Sequence, residues 1–140
     1  MNPATPEAMM ALGAEFASSA GAGDVFALVG ELGAGKTHWT KGFVAAIDPE
    51  AGVTSPTFAI VNEYRGGTHP VFHFDFHRLK SAEELIALGW DEYLEEGGIL
   101  ICEWADLFPN LMPEATCWLE ITHQPDGSRR VRRIGKPDCP

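Results

Sequence analysis

Residues 30–37 read GELGAGKT, and glycines, a lysine and a threonine at this spacing are suited to holding phosphate. Gly30, Gly35, Lys36 and Thr37 satisfy the pattern G-x-x-x-x-G-K-[ST] in full. Gly30, Gly33 and Gly35 permit backbone angles closed to other residues, so several N–H groups can point inward. A helix starting at Lys36 would aim its N-terminal dipole at the same anion. The Lys36 ammonium would reach the β- and γ-phosphates, and the Thr37 hydroxyl is suited to Mg²⁺.

Such a loop needs a carboxylate at the end of a neighbouring apolar strand to complete the Mg²⁺ shell. ILICEW, residues 99–104, supplies Glu103 after four apolar or sulfur residues. A second carboxylate, Asp75, lies in HFDFHR, where strand alternation turns His73, Asp75 and His77 to one face. Asp75 can orient water or the metal shell, or pair with Arg78. His69, His73 and His77 do not make a zinc site, because His69 and His77 would lie roughly 26 Å apart on a strand. The hydroxyls of TSPTF, residues 54–58, can close over a γ-phosphate, although a strand-capping turn is the simpler reading from these residues alone. Trp104 reads by default as core packing.

Elements must position these groups. Thr5 and Pro6 are suited to the start of a helix running to about Ala20. DVFALV before the glycine loop reads as a buried parallel strand. The helix from Lys36 places Trp39, Phe43 and Ala46/Ile47 on one face and ends before Pro49. TFAIVNEY and PVFHFDF, separated by RGGTH, read as a hairpin. Ser81 and Glu84 have capping-box spacing at the start of a further helix. CWLEITH and RRVRRIG close the chain as a second hairpin around QPDG. Alternating helices and strands followed by antiparallel strands predict an α/β, three-layer fold of P-loop NTPase type with a mixed sheet. The prediction is one domain over residues 1–140, a length able to bury a core.

Composition narrows the function classes. The formal net charge is −10. Residues 1–127 hold five Lys/Arg against nineteen Asp/Glu, whereas residues 128–140 hold five against one. The acidic body argues against broad polyanion binding by the bulk surface. No segment reaches the roughly 18 apolar residues of a membrane span, and the N-terminus does not resemble a secretory signal. Three cysteines without a C-x-x-C pair read as reduced thiols of a cytoplasmic protein.

GELGAGKT, SPTF, HFDFHR, EELIALGWDEYL and ICEW, in this order and spacing, resemble the small P-loop ATPases needed for threonylcarbamoyl modification of tRNA, the TsaE or YjeE family. The resemblance covers nearly the whole chain. It implies a bacterial cytoplasmic protein that binds and slowly hydrolyses ATP with Mg²⁺. It also implies two partners of the sugar-kinase/actin-like fold, which modify the tRNA adenosine 3′ of the anticodon, so that contact with tRNA is indirect. By position, Thr37 and Glu103 become the Mg²⁺ ligands, and Lys36, Asp75 and Glu103 the catalytic set. ATP binding falls to Gly30, Glu31, Leu32, Gly33, Ala34, Gly35, Lys36, Thr37 and His38, with Thr57 in a switch-like loop and Trp104 needed for activity. The basic C-terminal strand offers Arg129, Arg130 or Arg132 to the pocket; the choice is open, and Arg130 stands as the candidate contact. Two residues depart from the family pattern: His38 replaces a second threonine, and His77 a tyrosine.

Two other classes share the motifs. One is a nucleotide-dependent binding module with incidental hydrolysis. The other is a small-molecule or nucleotide kinase, disfavoured because only Arg65 and Arg78 precede the tail to clamp a second phosphate. A guanine reading would want N-K-x-D, and GKPD at residues 135–138 lacks the Asn.

Overall fold

The computed structural model describes residues 1–31, 33–53 and 60–137. Six strands form one sheet in the order β2-β3-β4-β1-β5-β6. β1 (Val25–Val29) is central, with β4 (Ile99–Glu103) on one side and β5 (Cys117–His123) on the other, both parallel to it. β3 (Val71–Asp75) adds parallel to β4. The edges are antiparallel: β2 (Val61–Tyr64) pairs with β3, and β6 (Arg129–Ile134) with β5. Parallel strands covered on both faces must be apolar throughout, and all five residues of both β1 and β4 are buried. The mixed α/β sheet expected from the sequence is present.

α1 (Pro6–Ser18) and α2 (Lys36–Ile47) cover one face. The Thr5 hydroxyl accepts from Ala8 N–H at 3.0 Å, and Pro6 opens the first turn. The two helices pack backbone to backbone. A Cβ on Gly13 would lie 2.0 Å from the Trp39 carbonyl oxygen, and one on Gly42 1.8 Å from that of Met10. Only glycine fits at those crossings. Phe16, Phe26, Trp39 and Phe43 meet beneath them, with ring centroids 5.1–6.2 Å apart. α2 buries Trp39 and Phe43 as expected, but Ala46 is exposed and Ile47 half-buried; Thr40 and Val44 complete the stripe instead.

The opposite face is covered by α3 (Ala82–Leu88) and α4 (Trp90–Glu95). Ser81 caps α3 by accepting from Glu84 N–H, while the Glu84 carboxylate accepts from Lys80 N–H. Gly89, at φ 109°, ends α3 and starts α4. The sequence reading assigned no element to α4, because it is a six-residue helix with no cap residue other than that glycine. Phe74 and Phe76 pack edge-on against Trp90. Both hairpins form, the first joining Tyr64 to Val71 in register and the second His123 to Arg129; residues 57–59 of the expected first strand lie outside the described residues.

Candidate functional site

The glycine loop leaves the C-terminal end of β1. Gly30 sits at φ 151°, and a Cβ there would come 2.2 Å from the Ile121 carbonyl oxygen on β5. Gly35, left-handed at φ 111°, caps α2 without any side chain. The first-turn N–H groups of α2 therefore face the loop's interior, the arrangement that binds an anion. Lys36 doubles back under the loop. Its ammonium donates to the Gly30 and Glu31 carbonyls at 2.7 and 2.9 Å, leaving one of its three donors for another acceptor. Burial pushes its pKa below the usual 10.5, while the carboxylates of Glu103, Asp106, Asp75 and Glu31 pull it back up. A cation held at a desolvation cost beside acidic groups is primed for phosphate.

The opposite wall is made by strand register. β4 pairs Glu103 with Asp75 on one side and Leu28 on the other. Both carboxylates thus reach the rim from which the glycine loop departs, outside the carboxyl ends of parallel strands. Each has its own holder. Asp75 accepts from His77 N–H at 3.1 Å and forms an ion pair with Arg78 at 3.4 Å. Glu103, only 6 % exposed, is hydrogen-bonded through Oε2 to Nε2 of the fully buried His73. His73 Nδ1 finds no partner among the described residues.

Trp104 joins the two walls. At φ 61° it has the only positive φ of a non-glycine among the described residues, and such strain collects at functional sites. Its N–H donates to the Leu28 carbonyl at 3.0 Å. The indole lies 4.6 Å from the Lys36 ammonium and stacks on His77 at 4.9 Å.

Between the walls lies a cavity of about 590 Å³, a size suited to a small ligand. Its lining includes Lys36, Thr37, Asp75, Glu103 and Trp104, joined from the chain's two terminal segments by Thr5, Pro6, Met9, Gly127 and Arg129. Gly33, Gly35 and His38 also face it. Gly30 contributes its carbonyl to Lys36 from behind, Ala34 is buried, and Glu31 is exposed. Leu32 and Thr57 lie outside the described residues. Arg130 does not line the cavity: it is exposed and sits across from Thr122, while alternation along β6 brings Arg129 to the lining.

The histidines separate. His69 precedes β3, His73 is buried on Glu103, and His77 follows the strand and lines the cavity. His77 therefore does not continue the strand face of His73 and Asp75, because a 3₁₀ turn begins at Phe76. The oxygen donors beside Lys36 are a hydroxyl and two carboxylates, hard ligands of the kind that fit Mg²⁺.

The sequence reading missed the His73–Glu103 pair and the N-terminal wall. Alternation placed His73 beside Asp75, but no local pattern ties it to a residue thirty positions away. The N-terminal segment gives no chemical signal. It reaches the site because the Pro3 and Met1 carbonyls accept from Arg129 and Val131 N–H along the outer edge of β6.

Residues 3–132 match the family described as threonylcarbamoyl adenosine biosynthesis protein TsaE. The chain is 38% identical over 131 residues to the Bacillus subtilis tRNA threonylcarbamoyladenosine biosynthesis protein TsaE, covering 94% of this chain and 80% of that protein. It is 36% identical over 109 residues to the Haemophilus influenzae protein of the same name, covering 78% and 68%. The crystal structure of Bacillus subtilis YdiB superposes with a TM-score of 0.80 at 33% identity, covering 98% of this chain and 84% of that one.

Proposed function

This chain belongs to the TsaE family of threonylcarbamoyl adenosine biosynthesis proteins, and we propose that it serves tRNA threonylcarbamoylation as a Mg²⁺-dependent ATPase. The observation that carries the reading is the convergence of Lys36, Thr37, Asp75 and Glu103 on one cavity at the carboxyl ends of β1, β3 and β4. The glycine loop and the start of α2 grip the phosphates by backbone N–H groups, and Lys36 places its free donor on the β/γ bridge. Thr37 and Glu103 would hold Mg²⁺, which neutralises phosphate charge. Asp75, fixed by Arg78 and His77 N–H, orients the attacking water. The rest of the cavity takes the nucleoside.

In this reading hydrolysis fuels turnover of a cytoplasmic complex with two sugar-kinase-like proteins, and those partners carry the contact with tRNA. Phosphate release from MgATP, measured with and without the two partners, tests it. Slow turnover alone and faster turnover in the complex are the expected results. Tight ATP binding with negligible turnover in the full complex would instead favour a nucleotide-dependent binding module.

A further inference from the structure

His73 is a polar residue with no exposure, on the sheet face that it shares with Val71, Ile99 and Ile101. Here Nε2 bonds to Glu103 while Nδ1 is buried and unpartnered among the described residues. Stability does not explain the pair, since a buried polar pair of this kind seldom outperforms apolar residues of similar volume. Its geometry has a use. Register sets His73 beside Ile101 and Asp75 beside Glu103, so the imidazole reaches diagonally along β4 to the last carboxylate of the strand.

We propose that His73 is a positioning residue that holds one Glu103 oxygen and turns the other to the metal side of the phosphate site. In the tautomer protonated at Nε2, the ring donates to Oε2 and Nδ1 is left as the acceptor nitrogen. Oε2 is thereby occupied and Oε1 is the oxygen offered to the cavity. A flexible glutamate becomes a fixed ligand, as outer-shell partners commonly do for metal-binding carboxylates. Asp75 has an independent holder in Arg78, so the two carboxylates can be disturbed separately.

The inference rests on reading Glu103 as the metal-facing carboxylate, and calorimetric titration of ATP with Mg²⁺ and with EDTA tests both. Wild type should bind more tightly with Mg²⁺. His73→Leu should lose about 10- to 100-fold of that gain while its affinity in EDTA is unchanged. His73→Gln, whose amide reaches Oε2, should restore most of it. His73→Asn, with the same amide but a shorter reach, should not; this pair decides the matter even if the leucine variant does not fold by circular dichroism. In a Glu103→Gln background, His73→Asn should add nothing. A wild-type Mg²⁺ gain in His73→Asn, an equal loss in EDTA, or an additive effect on Glu103→Gln would overturn the inference alone. Absence of any Mg²⁺ gain in wild type would overturn the functional reading and this inference with it.

Discussion

On the α3/α4 face, β3 and β4 present Phe72, Phe74, Leu100 and Cys102, all buried and apolar. On the α1/α2 face the same two strands present Val71, His73, Ile99, Ile101 and Glu103. Among the described residues, the four buried polar or charged side chains are Lys36, Thr40, His73 and Glu103. Two lie on α2, His73 is the middle residue of β3, and Glu103 is the last residue of β4. Alternation thus lets one sheet carry two kinds of surface. One face is a dry aromatic layer, and the other accepts buried charge where the glycine loop needs it. The stability lost by burying Lys36 is offset by apolar packing elsewhere, including Phe16, Phe26 and Trp39 further along the same face.

If the faces divide stability from chemistry, substitutions should divide with them. Phe74→Ala empties a fully buried aromatic position and should cost about 3–5 kcal/mol in denaturant unfolding. The molecules that remain folded should keep wild-type nucleotide affinity; a loss in both would show that the α3/α4 face is coupled to the site. Lys36→Ala should do the reverse. ATP affinity or turnover should fall about 10²- to 10³-fold, because a preorganised donor to the phosphates is lost, while circular dichroism stays unchanged.

A smaller effect distinguishes neighbours on β6. Arg129→Ala should weaken ATP about 10-fold if the guanidinium contacts the nucleotide, as charge-assisted hydrogen bonds do. Arg130→Ala, on the exposed side, should leave affinity unchanged. Equal effects would remove the distinction drawn from strand alternation.

The smallest effect is on stability. A lysine whose native pKa is depressed binds its proton more tightly when unfolded, so it opposes folding at neutral pH. That penalty is relieved as pH rises through the native pKa toward 10.5. Lys36→Met should therefore raise the Tm slightly at pH 7, with a gain that shrinks at alkaline pH. A lower Tm at pH 7 would mean that the carbonyl hydrogen bonds of Lys36 outweigh its burial.

Contiguity explains which parts of the site were legible in sequence. GELGAGKT is one stretch, and its glycines, lysine and threonine have roles set by local backbone geometry. Glu103 and Asp75 could be nominated because each ends an apolar run. That they stand side by side is a matter of register between strands joined through two helices, which no local spacing encodes. The same holds for His73. Choosing Arg129 over Arg130 required the phase of β6, fixed by its pairing with β5 and not by its own residues. α4 escaped because it is only six residues long and follows a glycine that reads as the end of the preceding helix. The fold class was legible because strand apolarity and helix caps report burial directly, whereas the site is assembled by long-range pairing.

Phosphate release from MgATP by the purified chain and by its Glu103→Ala variant, both shown to be folded, bears most directly on the claim that the paired walls form an ATPase site. The account predicts measurable Mg²⁺-dependent release by the wild-type chain and a fall of about 100-fold in the variant. Equal release by the two proteins would contradict it.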